Sequence, residues 1–335
     1  LLNIAIIGGG SFAKEMHLPN LKRLKDQYKI YSVMSRTGSN AKAIARQFEA
    51  RYAVTDYKDI LKDTGAEALL ITTRHNLHAG MAIEAIKAGK HVLVEKPMAL
   101  NRKDLIALGS LLTGKEIPAD VKSIASHIRA TGYEPGTNFM VGFNRRFSPF
   151  IQKAKELTSS RINPMIINYR MNAGYIPLTH WVHTEEGGGR NIGEACHIYD
   201  LFNFLTGAEA ESVNATQISP ATEQYARNDN FVATIKYKDG SVCNLLYTAL
   251  GSKDYPKEEM EIYVDGKLIR MSGYRKLEVF GSKEKGLAAK TAEKGHLQEL
   301  EAFARAIKEG KEAIPLWQQV QATEISFEVE KRLCE

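Results

Sequence analysis

Over roughly the first hundred residues, short apolar runs alternate with segments whose apolar positions recur every three or four residues. The runs Asn3–Gly8, Ile30–Ser35, Tyr52–Val54, Ala68–Thr72 and His91–Val94 read as strands. Between them, helical spacing covers Phe12–Lys25, Asn40–Glu49, Asp56–Lys62 and Asn76–Ala88. Alternation of this kind predicts βαβ units and a parallel sheet. The strands are apolar throughout, as expected of a sheet covered by helices on both faces. Between Leu105 and Gly136 the prolines Pro118 and Pro135 interrupt any long helix, predicting a helix, a loop and a shorter helix. Phe139–Val141 reads as the last strand of the first domain, and Arg146–Leu157 as a connecting helix.

From Pro164 the pattern changes to strands in succession: Met165–Arg170, Glu211–Gln217, Phe231–Tyr237, Ser241–Thr248, Glu261–Val264 and Leu277–Phe280. Lys238-Asp239-Gly240 and Asp265-Gly266-Lys267 have the chemistry of hairpin turns, because Gly after Asp accepts positive φ. One helix, Gly193–Leu205, interrupts the run, and helices at Leu297–Lys308 and Trp317–Arg332 close it. The expected fold is therefore α/β, with an N-terminal doubly wound parallel (Rossmann) sheet followed by an α/β domain built on a large, mostly antiparallel open sheet. Residues 1–145 are assigned to the first domain and 146–335 to the second, with a C-terminal helix returning to the first. A length of 335 residues agrees with two cores.

Composition narrows the function classes. No stretch approaches the roughly 18 apolar residues that span a membrane, and Ile4–Ile7 is too short for a signal peptide. Cys196, Cys243 and Cys334 are odd in number and lack metal-ligand spacing, which predicts a reduced, cytoplasmic setting and no metal. The net charge of +6 is spread among acidic residues without a nucleic-acid recognition pattern, so an anionic cofactor or substrate explains it more simply. The chain begins without Met, either as part of a longer polypeptide or as a processed chain.

Chemistry enters at Gly8-x-Gly10-x-x-Ala13, which follows a predicted strand and opens a predicted helix, the context a dinucleotide fingerprint requires. Gly8 permits the tight turn, Gly10 close approach to a pyrophosphate, and Ala13 close helix packing, with Ser11 and Phe12 in the same turn. Helix N-termini offer unpaired N–H groups to phosphates. Where NAD sites usually carry an acidic residue, this chain has Ser35-Arg36-Thr37. Arg36 either pairs with a 2′-phosphate, helped by Ser35 and Thr37, or stacks on adenine; the first reading predicts NADP in preference to NAD. A second signal is Glu95-Lys96-Pro97, which ends the apolar run His91–Val94 and sets a lysine at the strand edge where open α/β sheets bind ligands.

With these motifs the chain resembles the glucose–fructose oxidoreductase/inositol dehydrogenase (Gfo/Idh/MocA) family over nearly its whole length. The resemblance rests on the glycine turn, His17-Leu18-Pro19, Thr72-Thr73-x-x-x-x-His78 and the run AGKHVLVEKP from Ala88 to Pro97. It continues with Gly142-Phe143-Asn144-Arg145-Arg146-Phe147, Gly187-Gly188-Gly189, His197 and Asp200. The motifs around Arg74-His75, Asn144-Arg145 and Gly193-Glu194 look similar to two-part bacterial oxidoreductases, in which a zinc-type alcohol-dehydrogenase-like domain precedes this module. The resemblance implies hydride transfer on sugars, cyclitols or sugar nucleotides, and a homodimer or homotetramer built through the open sheet. It also implies that Thr72, Thr73, His75, Leu77 and His78 line the cofactor, with Glu95 and Lys96 near the nicotinamide.

Oxidation of a carbinol requires a base near neutral pKa and a positive charge for the developing alkoxide. His197 is the candidate base and Lys96 its electrostatic partner. Relatives resembling inositol dehydrogenase carry Asp four residues before this His; here Gly193 stands there, and the acid has moved to Glu194, about 100° round a regular helix. Asn172 through Arg190 is expected to form a flexible loop over the substrate, in which Trp181 either stacks on a sugar or anchors the loop. His180 and His183 lack the partners a metal site needs. Asn144, Arg145, Trp181 and Glu194 are the substrate-side candidates, although Arg145 and Arg146 equally suit bracing of the helix that follows. The alternative to an enzyme is a dinucleotide-binding regulator of the same fold with reduced catalysis. A redox-assisted lyase or glycosidase is a third reading.

Overall fold

The computed structural model describes residues 1–134 and 136–335, so the expected break at Pro135 lies outside the described residues. The chain forms two compact units, one of residues 1–143 and 296–320, the other of residues 144–295 and 321–335.

The first unit is built on six parallel strands: β1 (Leu2–Ile7), β2 (Tyr28–Met34), β3 (Tyr52–Val54), β4 (Ala68–Ile71), β5 (His91–Val94) and β6 (Phe139–Val141). Their order is β3-β2-β1-β4-β5-β6, so the chain reverses direction across the sheet between β1 and β4 and opens a crevice at their C-terminal ends. Ile4–Ile7 and Ala68–Ile71 have no exposed surface, which explains why their sequences are apolar without alternation. The helices of this unit are α1 (Leu18–Arg23), α2 (Gly38–Gln47), α3 (Tyr57–Lys62), α4 (His78–Lys87), α5 (Arg102–Thr113) and α6 (Ile124–Thr131). A π-helical turn, Ala13–His17, precedes α1. Near the end of the chain, α9 (His296–Glu309) packs on α1, and the Tyr28 hydroxyl donates to the Leu300 carbonyl at 2.6 Å.

The second unit carries α7 (Pro149–Thr158), α8 (Cys196–Thr206) and an eight-stranded sheet. Its strands are β7 (Ile166–Asn172), β8 (Ala210–Gln217), β9 (Phe231–Tyr237), β10 (Val242–Thr248), β11 (Glu258–Val264), β12 (Lys267–Ser272), β13 (Lys276–Phe280) and β14 (Leu287–Ala288). They run in the order β14-β13-β12-β11-β7-β10-β9-β8, with only β7 and β10 parallel. The final helix, α10 (Leu316–Cys334), contributes its first turn to the first unit and the remainder to the second.

Two strands of this sheet exceed the sequence expectation. β12 follows the Asp265-Gly266 hairpin, whose φ values of 46° and 74° are those that turn chemistry demands. Its alternation is short, because Ile269 and Met271 are its only buried positions and Leu268 puts an apolar residue on the polar face. β14 spans only two residues and has no detectable period. The helix expected over Arg146–Leu157 starts later because Ser148 caps it and Pro149 occupies its first turn, after a 3₁₀ turn at Asn144–Phe147.

Candidate functional site

At the C-terminal edge of the first sheet, Gly8 has φ 106°, and a Cβ there would lie 2.8 Å from the backbone of Thr72. Thr72 closes this approach by donating its hydroxyl to the Gly8 carbonyl at 2.6 Å. The amides of Gly8 and Gly9 both donate to the carbonyl of Met34, fastening the turn to the end of β2. A Cβ on Gly10, by contrast, would meet nothing within 4 Å. The turn is therefore crowded on its sheet side and open where a pyrophosphate would lie. This arrangement fits a dinucleotide, as do the exposed Ser11 and Phe12 at the start of the helical segment.

At the end of β2, Ser35 is buried and its hydroxyl accepts from Asn40 at 2.7 Å, while Asn40 also donates to the Gly9 carbonyl at 2.8 Å. Arg36 and Thr37 are exposed just before α2. At the end of β4, Thr73 is partly buried, His75 is buried and Leu77 is exposed in a 3₁₀ turn. His78 is wholly buried: Nδ1 lies 2.9 Å from the Pro97 carbonyl and Nε2 3.2 Å from that of Thr73. Burial holds its pKa below the usual histidine value, against the upward pull of both carbonyls. His78 thereby ties the segment after β4 to the Lys96-Pro97 segment after β5, where the peptide bond is cis.

Glu95 is buried beside His17, with Oε1 2.6 Å from Nε2. Burial raises the carboxyl pKa, but the hydrogen bond from His17 and the charges of His17, Lys96 and His296 together hold it below the usual range. Gly142 makes room for this carboxylate, since a Cβ there would come within 3.0 Å of it. A second buried acid, Glu299 on α9, offers an oxygen within 4.8 Å of ligand-type atoms of both residues. Lys96, immediately after, is half-buried. Much of the run from Ala88 to Pro97 serves the fold. The Lys90 ammonium donates to the carbonyls of Asp63 and Ala66 at 2.7 and 2.8 Å, and His91 Nδ1 accepts from the Asn138 amide at 3.0 Å.

In the second unit, His197 is buried in the first turn of α8. A π-helical turn at Asn191–Ala195 precedes it, so the spacing of a regular α-helix does not apply between Gly193, Glu194 and His197. Glu194 accepts from Lys257 at 2.8 Å, Arg190 at 3.1 Å and the Tyr247 hydroxyl at 2.5 Å. Burial pushes its pKa up, yet Lys257, Arg190 and Tyr247 outweigh that and bring it to about 2. Asp200 binds Arg146 in bidentate fashion, at 2.9 and 2.5 Å, and is a structural partner of that arginine.

Arg145 is likewise occupied: it forks onto Glu258 at 2.8 and 3.1 Å, where Lys294 and the Tyr169 hydroxyl also donate. The Asn144 side chain donates to the Lys294 carbonyl at 2.8 Å. The segment from Ala173 to Arg190 is fastened, because the buried Arg190 donates to the carbonyls of Gly174 and Ala173 at 2.7 and 3.3 Å. Trp181 is half-buried in a 3₁₀ turn. A Cβ on Gly187 would lie 2.4 Å from Val182, so the turn closes tightly beneath it. Sequence reasoning missed Lys257, Tyr247 and Glu258, which lie far along the chain on strands and a loop without a motif.

No described helix is long and apolar enough to cross a membrane. Family models match residues 2–121 ("Oxidoreductase family, NAD-binding Rossmann fold") and residues 156–325 ("Oxidoreductase family, C-terminal alpha/beta domain"). Among similar proteins, scyllo-inositol 2-dehydrogenase (NAD(+)) of Bacillus subtilis is 28% identical over 71% of this chain and 64% of its own length. Myo-inositol 2-dehydrogenase of Thermotoga maritima is 24% identical over 84% of this chain and 73% of its own. An uncharacterised Bacillus subtilis oxidoreductase is also spanned over only 64% of its length. A levoglucosan dehydrogenase in complex with NADH and levoglucosan shares the fold, with TM-score 0.80 and 22% identity over 99% of this chain and 97% of that one. With both parts of the chain matched, the protein belongs to the Gfo/Idh/MocA oxidoreductase family.

Proposed function

We propose that the protein transfers a hydride between a nicotinamide cofactor and a carbinol or carbonyl carbon of a sugar, cyclitol or sugar-nucleotide substrate. The observation that carries this reading is the glycine turn, closed against Thr72 and open at Gly10, on the same sheet edge as Lys96. Relatives named as inositol dehydrogenases support it. The cofactor, when bound, supplies the hydride acceptor or donor. Gly8, Gly10, Ser11 and Phe12 would hold its pyrophosphate, and Thr72, Thr73, His75, Leu77, His78 and Glu95 would shape the rest of the cofactor site. Lys96 provides positive charge and a hydrogen bond to the substrate oxygen, and His197 takes the hydroxyl proton. In this reading Glu194 orients the start of α8 and is not itself the base, since three donors already hold its carboxylate.

The expected result is that Lys96→Ala and His197→Ala each lower turnover by about 10²–10⁴-fold, the range for loss of a positioned acid or base. Circular dichroism would show both variants folded. Unchanged turnover in both would refute the assignment and favour a regulator that only binds the dinucleotide.

NADP is the preferred cofactor in this reading, supported by Arg36, which is exposed beside Ser35 and Thr37 with no acidic residue in the tripeptide. Relatives whose names carry NAD(+) or NADH make this the sharper test. Fluorescence titration should give tighter binding of NADPH than NADH, and Arg36→Ala should erase about tenfold of that difference, as loss of a charge-assisted hydrogen bond would. Equal or tighter NADH binding in the native protein would refute the preference.

A further inference from the structure

The second unit contains a cavity of about 930 Å³, at the upper end of the size that encloses a drug-sized ligand. Its wall carries six cationic side chains, Lys253, Lys257, Arg270, Arg275, Lys276 and Lys294, against three acidic ones, Asp254, Glu258 and Glu278. The acids do not balance the cations. Glu258 is already held by the Arg145 fork as well as by Lys294, and Glu278 by Lys276. Asp254 accepts from the neutral Ser252 hydroxyl and keeps its charge, so the wall stays cationic by six side chains to three. Lys257 and Arg270 pair outside the cavity, with Glu194 and Glu259. Lys253 and Arg275 are exposed and have no carboxylate partner among the described residues.

The walls are held in place. Asn172 donates to the Ser252 carbonyl at 2.7 Å, pinning the loop that carries Lys253 and Lys257. Arg170 packs on the ring of Tyr255, 4.1 Å from its centroid, and fixes an aromatic surface at the rim. Lys257 connects this cavity to Glu194, three residues before His197. A cationic cavity with an aromatic rim, one side chain away from the helix of the candidate base, has the chemistry of a site for an anionic carbohydrate.

We propose that this cavity binds the anionic group, carboxylate or phosphate, of the sugar derivative on which the protein acts, with Lys253 and Arg275 as its principal contacts. The proposal rests on the oxidoreductase reading for the word substrate, and its test separates the two. Isothermal titration would be run on the whole protein with the dinucleotide site saturated by NADP, using glucuronate, glucose 6-phosphate and UDP-glucose, each against neutral glucose and myo-inositol. At least one anionic ligand should bind at least tenfold tighter than both neutral ones, with affinity falling as salt rises. The double variant Lys253→Ala/Arg275→Ala should remove that advantage, and Arg275→Lys should restore part of it in the Lys253-intact background. Which of the three binds identifies the carboxylate, the phosphate monoester or the diphosphate as the natural group. Equal binding of neutral and anionic ligands, or an anionic preference that survives the double variant, overturns the proposal. Charge-dependent binding without cofactor turnover for any bound ligand would leave the cavity assigned and count against hydride transfer. Turnover of a neutral polyol unaffected by the double variant would do the reverse.

Discussion

At the scale of single residues, two glycines of one fingerprint do different work. Gly8 is required by the backbone: its φ of 106° and the 2.8 Å approach to Thr72 admit no side chain without a shift of strand β4. Gly10 has open space where its Cβ would be. Gly8→Ala should therefore lower folding stability by more than about 1 kcal/mol, the excess expected where alanine is forced to positive φ. Gly10→Ala should stay within about 0.5 kcal/mol of the native protein while weakening dinucleotide binding at least tenfold. Urea denaturation and cofactor titration of both variants check this, and equal loss of stability would show that Gly10 is structural too. The sequence motif marked both glycines, and only the coordinates separate them. The same holds for the run from Ala88 to Pro97, where Lys90 and His91 turn out to be bound to backbone groups. Those bonds reach residues distant in sequence, which no local pattern records.

At the scale of elements, strands and helices of the first unit were legible because apolar runs and helical spacing differ sharply there. The turns that mattered most were not. Both α1 and α8 are preceded by a π-helical turn, Ala13–His17 and Asn191–Ala195, and a single wide turn leaves no sequence period to detect. Assuming a regular helix, Glu194 falls away from the face of Gly193; in the structure it ties α8 to β10 through Tyr247 and to the loop of Lys257. This carboxylate also sets a pH dependence. Its pKa is depressed from 4.5 to about 2, so the stabilisation is complete above the unfolded value and is lost as pH falls from about 4.5 towards 2. Glu194→Gln should be less stable than the native protein at pH 7 and should lose less stability over that acid range. Thermal denaturation from pH 7 down to the acid limit measures both slopes; parallel curves would show that the carboxylate's charge is not what holds the junction.

At the scale of the whole molecule, the open sheet of the second unit leaves one face with large apolar side chains in solvent. Ile166, Val232, Leu246, Tyr263 and Phe280 are 50%, 41%, 42%, 42% and 49% exposed. The register makes two pairs of neighbours among them: Tyr263 is opposite Ile166, and Leu246 is opposite Val232. The intervening residues Ile167, Leu245 and Ile262 are fully buried on the opposite side, and Asn168, Asn244 and Thr234 lie between the two apolar pairs on the solvent face. Single exposed apolar residues are ordinary, whereas two such pairs on one sheet face, Val232–Leu246 on β9 and β10 and Ile166–Tyr263 on β7 and β11, mark a face of the kind that another protein surface covers. We propose that a second copy of this chain covers it, face to face, as the family resemblance implies. Val232→Lys and Leu246→Lys together place two like charges beside each other on that face and would oppose two more across a symmetric interface. Sedimentation equilibrium should show the native protein as a dimer or larger and the double variant as a monomer. NADP binding should be retained, because the residues assigned to the dinucleotide all lie in the first unit. A native monomer at micromolar concentration, or an oligomer indifferent to both lysines, would mean that the apolar face is left for a different partner.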